Sequence, residues 1–186
     1  MEIVSLGSNC AVCYHLLNLG LRTNAYPFDW TKISINKLIC VLSNKFDGFT
    51  ELVIKKYSPN HPIIFNSIEN SGSMVLTNAL DIQFAHEISC EDELADFSVK
   101  LSRRIARFLN LSNPKFVRLE TGNLSQAQMD GYNKLILLLD DIFLNYKLIV
   151  ISKIKPTNPK IIWEELESFN SDWKYPDINW TKIFSL

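Results

Sequence analysis

Apolar residues recur along this chain in two periods, and these periods predict its secondary structure. A short apolar run at 3–6 predicts a strand that ends at Gly7. The apolar positions from Ala11 to Leu19 have helical spacing and end at Gly20. The same criteria predict further helices over 32–42, 92–109 and 125–144, and further strands at 63–65, 74–77, 82–88, 115–120 and 146–153.

The order of these elements favours one three-layer α/β domain over 1–186 with a largely parallel sheet. A strand, two helices and a β-rich insert near 55–80 precede a βαβαβ run, and such alternation builds parallel sheets. The C-terminal tail carries Trp163, Trp173 and Trp180. We expect this tail to pack back on the domain, because exposing those rings costs roughly 25 cal/mol per Å² of apolar area.

Composition restricts the partners and the compartment that we expect. The formal net charge is −1, so no bulk field favours nucleic acid or an acidic membrane surface. The N-terminus lacks the basic and apolar regions of a signal peptide, and the longest apolar cluster, 135–139, is too short to span a membrane. We therefore expect a cytoplasmic protein with reduced cysteines. The partner that we expect is a peptide or acyl substrate, including an anionic one.

Cys10 lies where the first strand turns into the first helix, and this position suits a nucleophile. Ser8 or Asn9 can cap the helix, and its first N–H groups carry partial positive charge. These groups are expected to lower the pKa of a thiol and to bind an oxyanion or a phosphate. Alternatively, Cys10 is a buried free cysteine on a strand-to-helix turn.

A cysteine nucleophile needs a base, and His86 is the best candidate among three histidines. His86 lies at the end of a predicted strand and precedes Glu87, whereas His15 lies inside the first helix and His61 lies in a proline-bounded loop. Cys10, His86 and Glu120 each lie at or just after the end of a predicted strand, so we expect them at one edge of the sheet. The residue that orients His86 is Asp29, Glu87 or Glu120, and we prefer Asp29. Alternatively, His86 is structural and Asp29 caps the next helix.

The sequence leaves two further chemistries open. Cys10 and Cys13 form a C-x-x-C motif at a helix start, a geometry that suits thiol–disulfide exchange, although Cys13 also fits a core position. Zinc is less favoured, because Cys40 and Cys90 are isolated, and we expect no metal or cofactor.

Anion binding is another open function. The turn that contains Ser8 and Asn9 could hold a phosphate or a glycan-linked anion, with Arg22 and Arg118 beside it. Arg118 lies in an apolar strand, where a charge must be paired, and its partner is Glu120, Asp29 or an anionic substrate. In a third hypothesis the protein has a vestigial site and binds a partner protein through the tryptophan-rich tail.

The motifs together resemble the putative papain-like cysteine peptidase family, a domain of unknown function found in bacteria and large DNA viruses. The resemblance spans 3–152 and depends on the order of the segments S-L-G-S-N-C (5–10), L-R (21–22), P-F-D-W (27–30), F-A-H-E (84–87), R-R-I-A-R-F (103–108) and F-V-R (116–118). It implies a Cys–His hydrolase with Cys10 as nucleophile and His86 as base. The family typically has Asp after the histidine, where this chain has Glu87. It also implies an alternative fold, a papain-like α+β core with the nucleophile helix on an antiparallel sheet.

Overall fold

The computed structural model of the chain describes residues 1–54, 74–169 and 172–186. In chain order, its elements are β1 (Ile3–Ser5), α1 (Ala11–Asn18), β2 (Thr31–Lys32), α2 (Ile35–Ser43), β3 (Val53–Ile54), β4 (Leu76–Thr77), β5 (Gln83–Phe84), α3 (Leu94–Leu109), β6 (Lys115–Leu119), α4 (Gln126–Ile142), β7 (Lys147–Ser152), β8 (Ile161–Glu165) and α5 (Trp180–Ser185). The predicted strand at 63–65 and most of the predicted β-rich insert lie outside the described residues.

A four-stranded parallel sheet, in the order β1–β6–β7–β8, is the centre of the fold. Its registers pair Val4 with Phe116, Phe116 with Leu148, and Leu148 with Ile161. Strands β6 and β7 are almost fully buried, as their continuous apolar runs predict for a sheet covered on both faces. Strand β8 belongs to the segment that the sequence assigned to the tail.

Helices cover both faces of this sheet, so the predicted three-layer α/β domain is confirmed. Val4, Phe116 and Leu148 face a core that contains residues of α2, α3 and α4. Val117 and Ile149, which point the other way, face a second core formed with α1, α5 and the rest of the tail. Because α1 packs on the parallel strands β1 and β6, the alternative with the nucleophile helix on an antiparallel sheet is not observed.

A second, smaller sheet contains the antiparallel strands β2–β5–β4–β3. The predicted βαβαβ run is wrong at its first strand, because β5 pairs with β2 and β4 and takes no part in the parallel sheet. Asn78 explains this local pairing. Its side-chain oxygen accepts hydrogen bonds from the N–H groups of Leu80 and Ile82, which closes the turn between β4 and β5.

Two helix starts show how side-chain hydrogen bonds set boundaries. Helix α2 begins at Ile35, later than predicted, because Ser34 is its N-cap and Thr31 pairs in β2. Asp29, the predicted alternative cap, is engaged elsewhere. Helix α4 begins with a reciprocal capping box between Ser125 and Gln128, close to its predicted start.

The C-terminal tail packs against the domain, as predicted. Trp180 and Tyr175 are buried in the core on the α1 side of the sheet, and the indole N–H of Trp180 donates to the Tyr175 carbonyl. The His15 ring stacks on Trp180 at 4.5 Å between centroids, and His15 Nε2 lies 2.7 Å from the Lys174 carbonyl oxygen. These contacts attach the tail to the helix that follows Cys10.

Candidate functional site

The loop between β1 and α1 has a constrained backbone that sets the position of Cys10. Gly7 has a φ of 73°, and a Cβ there would collide with Ile33 Cγ2 and lie 2.7 Å from Thr31 Oγ1. Ser8 also lies in the left-handed region, with a φ of 80°. Only glycine fits the first position without displacing its neighbours. The loop therefore packs closely against β2 and the start of α2.

Cys10 is the N-cap residue of α1, and its carbonyl accepts the first hydrogen bond of the helix from the Tyr14 N–H. The expectation of a lowered thiol pKa is wrong here. Burial, and then the negative charge of Glu87, raise the pKa of Cys10 to about 12. In addition, Asn9 Oδ1 accepts a hydrogen bond from the Ala11 N–H, which occupies one of the donors expected to stabilise a thiolate. The Cys10 thiol is thus protonated at neutral pH.

His86 follows β5, in the antiparallel sheet, so it does not share the strand edge that we expected for Cys10 and Glu120. Those two residues follow the paired strands β1 and β6. Instead, aromatic rings link His86 to α1. Its ring lies 5.7 Å from Trp30 and 6.4 Å from Trp173, and Trp173 lies 5.3 Å from Tyr14. Trp173 of the tail therefore contacts both the His86 ring and Tyr14 of α1.

His86 and Trp30 combine a ring contact with unusual backbone. Their φ values are 59° and 45°, in the left-handed region that bulky residues rarely adopt, and the Trp30 carbonyl accepts a hydrogen bond from the Ala85 N–H. Burial lowers the pKa of His86, so its imidazole is neutral at neutral pH. Within the described part of the chain, no hydrogen bond joins Cys10 to His86 or either side chain to another group.

Asp29 is buried close to Cys13, the second cysteine of the C-x-x-C motif. Arg22 donates to Asp29 Oδ2 through Nη2 at 2.8 Å and Nε at 3.2 Å, and the Tyr26 N–H donates to the same oxygen at 2.9 Å. Burial, and then the negative charge of Asp29, raise the pKa of the Cys13 thiol, so the thiol and this carboxylate lie close together. Burial raises the pKa of Asp29 to about 6 against the opposing effect of Arg22. Its hydrogen-bond partners are thus Arg22 and the Tyr26 N–H, whereas we expected it to orient His86.

The other two candidate carboxylates each hold an arginine. Glu87 forms a two-point ion pair with Arg104 of α3, and burial raises the pKa of Glu87. Glu120 accepts hydrogen bonds from Arg118 Nε and from the Tyr132 hydroxyl, both at 2.7 Å. Neither carboxylate is within hydrogen-bonding distance of the His86 ring in the described residues.

Arg118 lies inside the domain with no exposed surface. Besides Glu120, its guanidinium donates to the carbonyls of Leu6, at 2.8 Å, and Ile33, at 3.0 Å. Leu6 directly precedes the loop that carries Cys10, so the hydrogen bond from Arg118 holds the start of that loop. Arg22 and Arg118, the two arginines considered for an anionic substrate, are thus paired with carboxylates of the protein. For Arg118 the partner is Glu120, one of the alternatives that the sequence left open.

Sequence reasoning missed the aromatic residues around His86 and the role of Arg104. Trp173 was considered only as part of the C-terminal tail, and Arg104 was considered only within the segment R-R-I-A-R-F (103–108). The signal for Arg104 was its spacing along α3, which places it on the same side as Phe97 and Leu101. In the structure its guanidinium carbon lies 5.4 Å from the centroid of the Phe97 ring. His61, one of the three histidines considered as a base, lies outside the described residues.

Two surveys of the described residues bear on cofactors and membranes. In 1–54, 74–169 and 172–186, no group of three or more His, Cys, Asp or Glu residues is arranged to hold a metal ion. Across the same ranges, every helix is too short or too polar to cross a bilayer.

Comparisons with known proteins identify a relative and a family for this chain. The chain is similar to "Uncharacterized protein R408" of Acanthamoeba polyphaga mimivirus, with 29% identity over 216 aligned positions that cover 97% of this chain and 95% of the viral protein. No solved structure matches the chain. A family model matches residues 1–140, which include Cys10, His86 and all three candidate carboxylates. The chain therefore belongs to the family described as "Putative papain-like cysteine peptidase (DUF1796)".

Proposed function

We propose that this protein is a cysteine hydrolase, a peptidase or a related acyl-transfer enzyme, in which Cys10 is the nucleophile and His86 is the base. One observation carries the proposal. Each buried carboxylate around the site is paired with an arginine, whereas the Cys10 thiol and the His86 imidazole form no hydrogen bond in the described residues. A nucleophile and a base are thus the groups that remain available for a substrate.

The electrostatics favour a pair that is neutral at rest. Burial raises the pKa of Cys10 and lowers the pKa of His86, so neither group is charged at neutral pH. In the proposed reaction, His86 takes the thiol proton as Cys10 Sγ attacks the substrate carbonyl. The imidazolium then protonates the leaving group, and a water molecule, deprotonated by His86, releases the acyl group. A substrate that excludes water and closes the Cys10–His86 distance would trigger this transfer.

Other predicted residues have supporting roles in this proposal. In this proposal, backbone N–H groups near Cys10, together with Ser8 and Asn9, stabilise the oxyanion. Arg22, whose side chain is 21% exposed, can turn from Asp29 toward an acidic group of the substrate. Arg118 acts as a positioning residue through the Leu6 carbonyl, and Asp29 supports the cysteine turn through Cys13.

The test is covalent labelling of Cys10 by a peptidyl acyloxymethyl ketone, an electrophile that resembles an acylated substrate. We expect labelling at Cys10, located by peptide mass spectrometry, and a rate reduced by about 100-fold or more in His86→Ala, because that variant lacks the base. Trp163→Phe is the matched control, since Trp163 lies on β8 and its indole contacts Ser152. Equal rates in wild type and His86→Ala would overturn the assignment of His86.

A further inference from the structure

Cys10 and Cys13 occupy the first turn of α1 in an asymmetric arrangement. Cys10 is the N-cap and Cys13 is the third residue of the helix, so the two side chains lie on the same helical face. Each sulfur is within electrostatic range of the other. Cys10 is partly exposed, whereas Cys13 is fully buried. A reagent from solvent thus reaches Cys10 first, and Cys13 is placed to react only with Cys10.

A buried carboxylate lies next to the inner thiol. Asp29 is 3% exposed, and its charge is the largest influence after burial that raises the pKa of Cys13, so the two groups lie close together. Arg22 and the Tyr26 N–H fix the carboxylate in this position through its Oδ2 atom. The hydrogen bonds that hold Asp29 thus come from two donors, Arg22 and the Tyr26 N–H, and neither competes with the carboxylate for a proton. A carboxylate held in this way can accept the proton of a thiol that has no access to water.

We propose that Cys10 and Cys13 form a reversible disulfide by exchange with a small-molecule disulfide, and that Asp29 accepts the proton of Cys13 during ring closure. In the first step, Cys10 Sγ loses its proton and attacks the reagent. One Cys10–reagent S–S bond forms, the reagent S–S bond breaks, and one small thiol leaves with the proton. In the second step, Cys13 transfers its proton to Asp29 and its sulfur attacks Cys10 Sγ, so that the second small thiol leaves and takes up a proton. Two protein thiols are oxidised, and one small disulfide is reduced to two thiols.

The other cysteines are placed differently. Cys40 lies in α2, where the Asn44 side chain contacts its sulfur at 3.6 Å, and Cys90 is exposed before α3. Disulfide closure would block Cys10 as a nucleophile. That consequence rests on the proposed hydrolase function, whereas the closure itself rests only on the arrangement of Cys10, Cys13 and Asp29.

The experiment uses a Cys40→Ser/Cys90→Ser protein, which retains only the two cysteines of interest, and oxidised glutathione as the probe. We expect the protein to lose both free thiols and two hydrogen masses, and to recover both on addition of a reducing agent. Cys13→Ala in the same protein should instead trap glutathione on Cys10. A thermal melt of each variant checks that it folds.

Asp29→Asn tests the proposed base. We expect the glutathione adduct on Cys10 to form as in the parent protein and its conversion to the disulfide to slow by about tenfold or more. Asp47→Asn, at an exposed position, is the matched control. Unchanged ring closure in Asp29→Asn would overturn the role of Asp29.

Two results would overturn the disulfide itself: a stable glutathione adduct in the two-cysteine protein, or no loss of thiols in it. The outcome is separable from the proposed hydrolase function, because the labelling test can be run in Cys13→Ala. His86-dependent labelling there without ring closure in the parent would support only the hydrolase, and ring closure without His86-dependent labelling would support only the disulfide.

Discussion

Asp29 and Glu120 are two buried carboxylates with similar burial and different surroundings. They are 3% and 6% exposed, and each is paired with an arginine. The partner of Glu120, Arg118, is completely buried and also holds two backbone carbonyls, while Tyr132 donates to the same Glu120 oxygen that binds Arg118. The partner of Asp29, Arg22, reaches solvent, and the other neighbours of Asp29 include the Tyr26 N–H and the Cys13 thiol.

This difference indicates that Glu120 belongs to a structural network, whereas Asp29 can take part in proton transfer. A charge whose partners are all buried and hydrogen-bonded contributes to the fold, and losing one partner leaves the other uncompensated. A carboxylate with a partly exposed partner and a thiol neighbour can change its protonation state in the folded protein. The three predictions below test this comparison, from the largest expected effect to the smallest.

Arg118→Met should have the largest effect on stability. The substitution removes the cation that pairs with Glu120, together with three hydrogen bonds, so we expect the free energy of unfolding to fall by about 3–5 kcal/mol. Urea denaturation measures the loss. The matched control is Lys182→Met, because Lys182 pairs with Glu164 and is 57% exposed, and its loss should cost under about 1 kcal/mol. Equal losses in the two variants would mean that the buried network contributes no more than a surface pair.

The sequence was informative about the parallel sheet and its helices because their signals are local. The apolar runs of β6 and β7 and the stripe of α3 that includes Phe97 and Leu101 need no distant partner to be recognised. Strand β8 was missed, since Ile161 and Ile162 form a short run beside Pro159 that becomes a strand only by pairing with β7. The sequence also did not show that hydrogen bonds from the turn at Asn78 pair β5 with β4 in the antiparallel sheet.

The candidate site was predictable in its residues and less so in their contacts. Cys10 stands out by its position between a strand and a helix, but the sequence does not show that Asn9 occupies a helix N–H or that Glu87 faces the thiol. Those facts reverse the expected direction of the Cys10 pKa. The aromatic neighbours of His86 come from residues 30 and 173, and only the folded chain brings such distant positions together.

The second prediction concerns the pH dependence that Asp29 gives to stability. Its pKa is raised from 3.8 to about 6 in the folded protein, so the folded state binds this proton more tightly than the unfolded state does. The resulting stability is fully present below the unfolded pKa and is lost as pH rises through about 6. We expect the difference in unfolding free energy between wild type and Asp29→Asn to fall by up to about 3 kcal/mol from about pH 4 to pH 7. A difference that grows with pH would show instead that Arg22 holds the carboxyl pKa below its ordinary value.

The third and smallest effect comes from Glu87, whose negative charge raises the pKa of the Cys10 thiol. Glu87→Gln removes this charge and leaves Arg104 without its ion-pair partner, and both changes favour a thiolate. We expect the rate of Cys10 alkylation by iodoacetamide at mildly alkaline pH to rise about two- to fivefold, measured in a Cys13→Ala/Cys40→Ser/Cys90→Ser protein. Glu91→Gln, at an exposed position before α3, is the matched control and should leave the rate unchanged. A rate that stays constant or falls in Glu87→Gln would mean that burial alone sets the reactivity of Cys10. Glu87 would then be a structural partner of Arg104, as Glu120 is of Arg118.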